Sequence, residues 1–132
     1  MRLSLLFACA FGCVALVAAG SGVGAQATGA VQIELTTAED VTLAAGLDED
    51  ISTLAVIVGG CVQAGGSPRA CLCAAQPALG SLVSLVERTL AARPHWGAAG
   101  AVVMWRSGEL TRAISVPGAL REATLSLAQC QN

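Results

Sequence analysis

The chain has 132 residues, a length suited to one domain, with seven basic and nine acidic side chains and a net charge of -2. Every basic residue is arginine, and the arginines are scattered rather than clustered, which excludes the electrostatic footprint of a nucleic-acid partner. The only asparagine is Asn132, so no N-x-S/T glycosylation acceptor exists.

Met1-Arg2 gives a short positive start, residues 3–19 an uncharged apolar run, and residues 20–24 a small-residue exit, the architecture of a secretory signal. Val23-Gly24-Ala25 offers the small residues that a signal peptidase inspects. The expected signal is therefore residues 1–25 with the cut before Gln26, and Ala25-Gln26-Ala27 is the next candidate. The alternatives are a retained anchor, for which the apolar run is at the lower limit of length, and a lipoprotein modified at Cys9 or Cys13, whose preceding residues fit that chemistry poorly. Cleavage leaves residues 26–132 as a single domain with no stable membrane span. With Arg2 gone from the seven arginines, six face nine acids.

Residues 31–35 alternate apolar and polar and predict a short strand. Thr36-Thr37, followed by Glu39 and Asp40, offers hydroxyl caps for a helix over residues 38–45, which Gly46 is expected to close. Asp48-Glu49-Asp50 then reads as the acidic start of a second helix, reaching residue 64. Residues 54–62 are apolar on every side, which predicts a helix surrounded by others, with a strand as the rival assignment of this β-branched run. Gly65-Gly66 breaks the chain, and Ser67-Pro68 restarts a short helix over residues 68–75 in the favoured order of cap then proline.

Leu79, Leu82, Val83, Val86 and Leu90 recur at intervals of three and four, predicting an amphipathic helix over residues 77–93 that Pro94 ends. Residues 101–105 and 110–116 predict a ribbon turning at residues 106–109. Pro117-Gly118 opens a last helix to residue 129, with Leu120, Ala123, Leu127 and Cys130 along one stripe. The expected fold is mainly α: a small disulfide-stapled domain of about four to five helices with a minor β ribbon.

Four cysteines follow the signal: Cys61, Cys71, Cys73 and Cys130. An even number in an exported chain reads as a disulfide framework. On a helix Cys71 and Cys73 point about 200° apart, so each needs a different partner. A hairpin about Gly66 sets Cys61 across from Cys71, favouring Cys61–Cys71 with Cys73–Cys130. Loop closure gives about 3 kcal/mol for the short bridge and about 4 for the long one, and the swapped pairing gives nearly the same, so energy alone leaves both open.

No catalytic, cofactor or metal pattern is expected. Cys71-Leu72-Cys73 supports an alternative, a thiol- or metal-handling protein, although it lacks the spaced pairs of a closed zinc site. His95, the single histidine, supports a further alternative, a small hydrolase, but no Gly-x-Ser-x-Gly elbow supplies a nucleophile. Trp96 and Trp105 are candidates for a ligand or partner surface, or else for filling the junction between helices and ribbon. The shortage of charge relative to apolar side chains predicts some exposed apolar surface. The leading expectation is an exported, non-catalytic binding module whose partner is an envelope protein or a small apolar ligand. The bias toward alanine, glycine, valine and arginine points to a GC-rich bacterial genome and a periplasmic or secreted location.

Overall fold

The computed structural model describes residues 29–132. The expected signal segment, with Cys9 and Cys13, lies outside the described residues. Strand β1 (Val31–Glu34) leads into helix α1 (Ala38–Gln63), followed by the short helix α2 (Pro68–Ala74) and helix α3 (Gln76–Ala92). A single 3-10 turn at Pro94–Gly97 connects to strands β2 (Ala101–Ser107) and β3 (Leu110–Ile114), and helix α4 (Val116–Cys130) ends the fold. The domain is mainly helical, carries two disulfides and has one small sheet.

The ribbon is a three-stranded sheet in the order β1-β2-β3, with β1 parallel and β3 antiparallel to β2. Val31 stands opposite Ala101, and Val103 opposite Ile114. The close start of the parallel pair depends on Gly100, whose positive φ of +73° suits glycine and whose added Cβ would overlap the Gly29 carbonyl. Alternate residues Ala101, Val103 and Trp105 face inward from β2, while Arg106 and Ser107 are exposed.

The first half of the helical layer departs from the sequence reading. Residues 38–63 form one helix, and neither Gly46 nor Asp48-Glu49-Asp50 marks a boundary. Thr37 caps it, its hydroxyl accepting from the Asp40 amide at 3.2 Å, and Glu39 and Asp40 occupy the first turn. A mid-helix glycine costs about 1 kcal/mol relative to alanine. Burial of Ala44 and Leu47 on either side of Gly46 outweighs that cost, because a break there would pull one of them from the core.

The expectation that residues 54–62 are surrounded is also overturned. Val56 is 73% exposed and Ile57 53%, and the buried residues of α1 are Ala44 and Leu47, both in its first half. A helix of 26 residues is about 39 Å long. Its second half packs more thinly, through Ile51 and Leu54 on the core and through Cys61 on α2.

Helix α3 is the centre of the layer. Leu79, Leu82, Val86 and Thr89 are its buried stripe, and both α1 and α4 pack on it. The core continues through Leu47, Trp96, Val103, Trp105 and Val116 to the inner face of the sheet. Among the described residues no single helix is long and apolar enough to cross a membrane; α2 and α3 reach that measure only taken together, and they meet at 65°.

Candidate functional site

The two cysteines of α2 tie it to two different helices. Cys71 bonds to Cys61 near the end of α1, with Cα atoms 5.6 Å apart, and Cys73 bonds to Cys130 at the end of α4, with Cα atoms 5.3 Å apart. Of the two pairings the sequence left open, this is the one argued from the hairpin about Gly66. Gly66 is needed there for space, since an added Cβ would overlap Cys71 Sγ and lie 2.9 Å from Cys61 Sγ. Ser67 caps α2 by accepting from the Ala70 amide at 3.2 Å, and Arg69 Nη2 donates to the Gln129 carbonyl at 2.9 Å, a second tie to α4. Bridges of this kind are consistent with an oxidising compartment outside the cytoplasm.

Helices α1 and α4 both rest on α3 but hardly touch one another. Between them runs a groove of about 780 Å³. Ile51, Leu54, Ala55, Val58 and Gly59 form the α1 wall, and Gly118, Ala119, Ala123 and Ser126 the α4 wall. Leu79 and Leu82 of α3 floor it, and Leu72 of α2 lies at the end where both bridges converge. Small residues on the two walls keep the groove open, because they leave space that longer side chains would fill.

Polar side chains gather toward the other end, near the β3–α4 junction: Asp48, Ser115, Arg121 and Glu122. Asp48 is engaged by Arg112 of β3, through Nη2 and through Nε at 3.1 Å. Arg121 forms no ion pair among the described residues. Ser115 accepts from the Gly118 amide at 3.2 Å as the cap of α4, whose first turn carries no acid. A second, smaller concavity of about 440 Å³ lies over the sheet between Gln32, Glu34, Met104, Arg106 and Thr111.

The residues singled out from the sequence lie elsewhere. Trp96 is fully buried and Trp105 is 3% exposed, and they fill the junction between sheet and helices, Trp105 also lying among the residues that line the smaller concavity. Among the described residues the Trp96 Nε1 donor has no hydrogen-bond partner, an arrangement that costs about 1–3 kcal/mol and shows how strongly ring burial fixes this side chain. His95 is exposed on the turn, edge-on to Trp96 with ring centroids 6.4 Å apart.

Arg93 binds two acids near that turn, donating from Nε to Asp40 at 2.6 Å and from Nη2 to Glu39 at 2.9 Å. The hydrogen bond from Arg93 holds the Asp40 carboxyl below the usual carboxylate range and raises Arg93 in turn. The cluster ties the start of α1 to the end of α3, with Arg93 occupying one oxygen of each acid. Cys71 and Cys73 are each consumed in a bridge, so the pair of adjacent thiolates on which thiol or metal chemistry would rest does not form. Among the described residues, no three of His, Cys, Asp and Glu come together as metal ligands.

The groove residues were absent from the candidates drawn from the sequence. A trace of them was present in Ala55 and Gly59 on one helix and Ala119 and Ala123 on another, each pair four residues apart and so on one face. That trace has no meaning until the two helices are known to face each other across α3. No family model, curated protein or solved structure matches the chain.

Proposed function

We propose that the protein is an exported, non-catalytic binding module that holds a small apolar ligand between α1 and α4. The observation that carries this reading is the groove itself. Its volume of about 780 Å³ falls within the range of about 300–1,000 Å³ typical of small-molecule sites, and its floor and most of its walls are apolar. Two disulfides frame it, which suits a site kept in shape outside the cytoplasm, in the periplasm or after secretion.

The test is recovery of the native protein from its own compartment without detergent, followed by solvent extraction and mass spectrometry of what it carried. A stoichiometric apolar small molecule, lost on Ala55→Trp, is the expected result. Protein recovered empty, and unable to take up an apolar dye such as Nile red, refutes the reading. N-terminal sequencing of the same material is expected to begin at Gln26.

A second reading, docking to an envelope protein, draws on the exposed Val56 and Ile57 of α1, which lie outside the groove. Cross-linking from position 56 in intact cells separates the two, because a ligand carrier gives no discrete protein adduct there.

A further inference from the structure

We infer that the groove takes a single-chain amphiphile with an anionic head, its tail directed toward α2 and its head held at Arg121. This rests on the binding role proposed above and adds the class and orientation of the ligand. The polarity of the groove changes along its length. The end near Leu72 is apolar apart from the uncharged hydroxyl of Ser126, and α2 crosses it, tied to both walls by Cys61–Cys71 and Cys73–Cys130. Asp48, Ser115, Arg121 and Glu122 lie toward the opposite end.

An amphipathic helix from another protein needs an apolar slot that is open at both ends, with polar residues along its rims. Here the polarity changes along the length and one end is crossed by α2. A chain with one polar terminus matches that pattern. On the α1 wall, Asp48 to Gly59 spans about 17 Å at the helical rise, a length matched by the extended chain of dodecanoate.

The sign of the head follows from the charges present. Asp48 is neutralised by Arg112, whereas Arg121 is the one arginine lining the groove and has no ion-pair partner among the described residues. The first turn of α4, also part of the lining, carries no acid to offset the positive end of its helix dipole. Glu122, turned about 100° from Arg121 around the helix, contributes one opposing charge and limits the preference to a moderate one.

The experiment uses the exported, oxidised protein and three probes of one chain length, dodecanoate, dodecanol and dodecyltrimethylammonium, the two ions below their micelle concentrations and dodecanol below its solubility limit, in displacement of Nile red. Dodecanoate is expected to bind about tenfold more tightly than dodecanol, in keeping with one charge-assisted contact, and the cation more weakly than either. Arg121→Gln is expected to bring dodecanoate to the level of dodecanol and to leave dodecanol unchanged. Leu72→Trp, which fills the tail end, is expected to weaken dodecanoate while sparing octanoate.

Equal binding of all three probes, or a preference for the cation, overturns the anionic head while leaving an apolar groove standing. Equal loss of octanoate and dodecanoate in Leu72→Trp overturns the orientation. Failure of every probe and of Nile red, in protein shown to be folded by circular dichroism, removes the binding role as well. Because Ala55 is exposed, Ala55→Trp provides a variant that fills the groove without touching the core; unchanged binding in it places the amphiphile elsewhere and refutes the inference.

Discussion

Removing the long bridge by combining Cys73→Ala with Cys130→Ala tests whether the staples stabilise the fold through the unfolded chain. The bridge joins residues 57 positions apart, and the entropy of closing a loop of that size amounts to about 4 kcal/mol. Neither side chain is fully buried, so truncation adds little cavity cost. Helix α4 keeps its packing on α3 and the Arg69 contact to Gln129, so the native fold is expected to persist. A domain of about 100 residues loses about 5 °C of Tm per kcal/mol, which places the expected fall at about 20 °C. The assays are thermal denaturation for the Tm and urea denaturation for the slope, both followed by the fluorescence of the buried Trp96 and Trp105. Freed of a long ring, the unfolded chain expands, so the denaturant slope is expected to rise along with the loss of stability. A fall in Tm below about 5 °C, or a slope that stays unchanged while the near-ultraviolet circular dichroism remains native, would refute the reasoning.

Further predictions concern single sites. Leu47→Ala, at a position 1% exposed, is expected to cost about 3 kcal/mol, whereas Val56→Ser stays within about 0.5 kcal/mol of the parent; comparable losses in chemical denaturation would contradict the assignment of α1 as buried in its first half and exposed at Val56. Ser67→Ala removes the cap of α2 and is expected to cost about 1 kcal/mol, with Ser67→Asp restoring most of it. The Asp40 carboxyl titrates below its unfolded value, so its contribution to stability is complete above about pH 4 and is lost as the pH falls through the folded pKa. The stability gap between the parent and Arg93→Ala should therefore narrow below about pH 4, and a gap independent of pH would show that the pairing adds nothing through ionisation.

Where the sequence was legible, one element's own residues decided its structure. The stripe Leu79, Leu82, Val86 placed α3 to within one residue, because a helix packed on one side writes its period into the chain. Ser67-Pro68 marked the start of α2 through local capping chemistry, and Pro117-Gly118 marked that of α4 to within one residue, although the cap of α4 is Ser115, which the strand expected over residues 110–116 had absorbed. Gly46 misled because its propensity is a weak local term, and the burial that overrode it comes from contacts distant in sequence. The apolar run at residues 54–62 misled for a related reason: composition records how apolar a helix is, not whether a neighbour reaches it. The parallel pairing of β1 with β2 spans some 70 residues and leaves no pairwise mark in a single chain. The groove belongs to the same class, since it exists only between two helices whose facing was not encoded in either.

The odd spacing of Cys71 and Cys73 has a consequence for a chain that meets proteases. One bridge closes residues 61–71 into a ring and the other closes residues 73–130, so the two rings sit side by side with Leu72 as the single link between them. A cut inside either ring leaves the molecule in one covalent piece, still able to reclose its helices around the nick. Only at Leu72, in the last two residues, or ahead of Cys61, where β1 and most of α1 lie, does one cleavage free a fragment. Across most of the α2–α4 region a single cut thereby leaves both pieces joined, whereas in the exposed second half of α1, ahead of Cys61, a single protease event separates them.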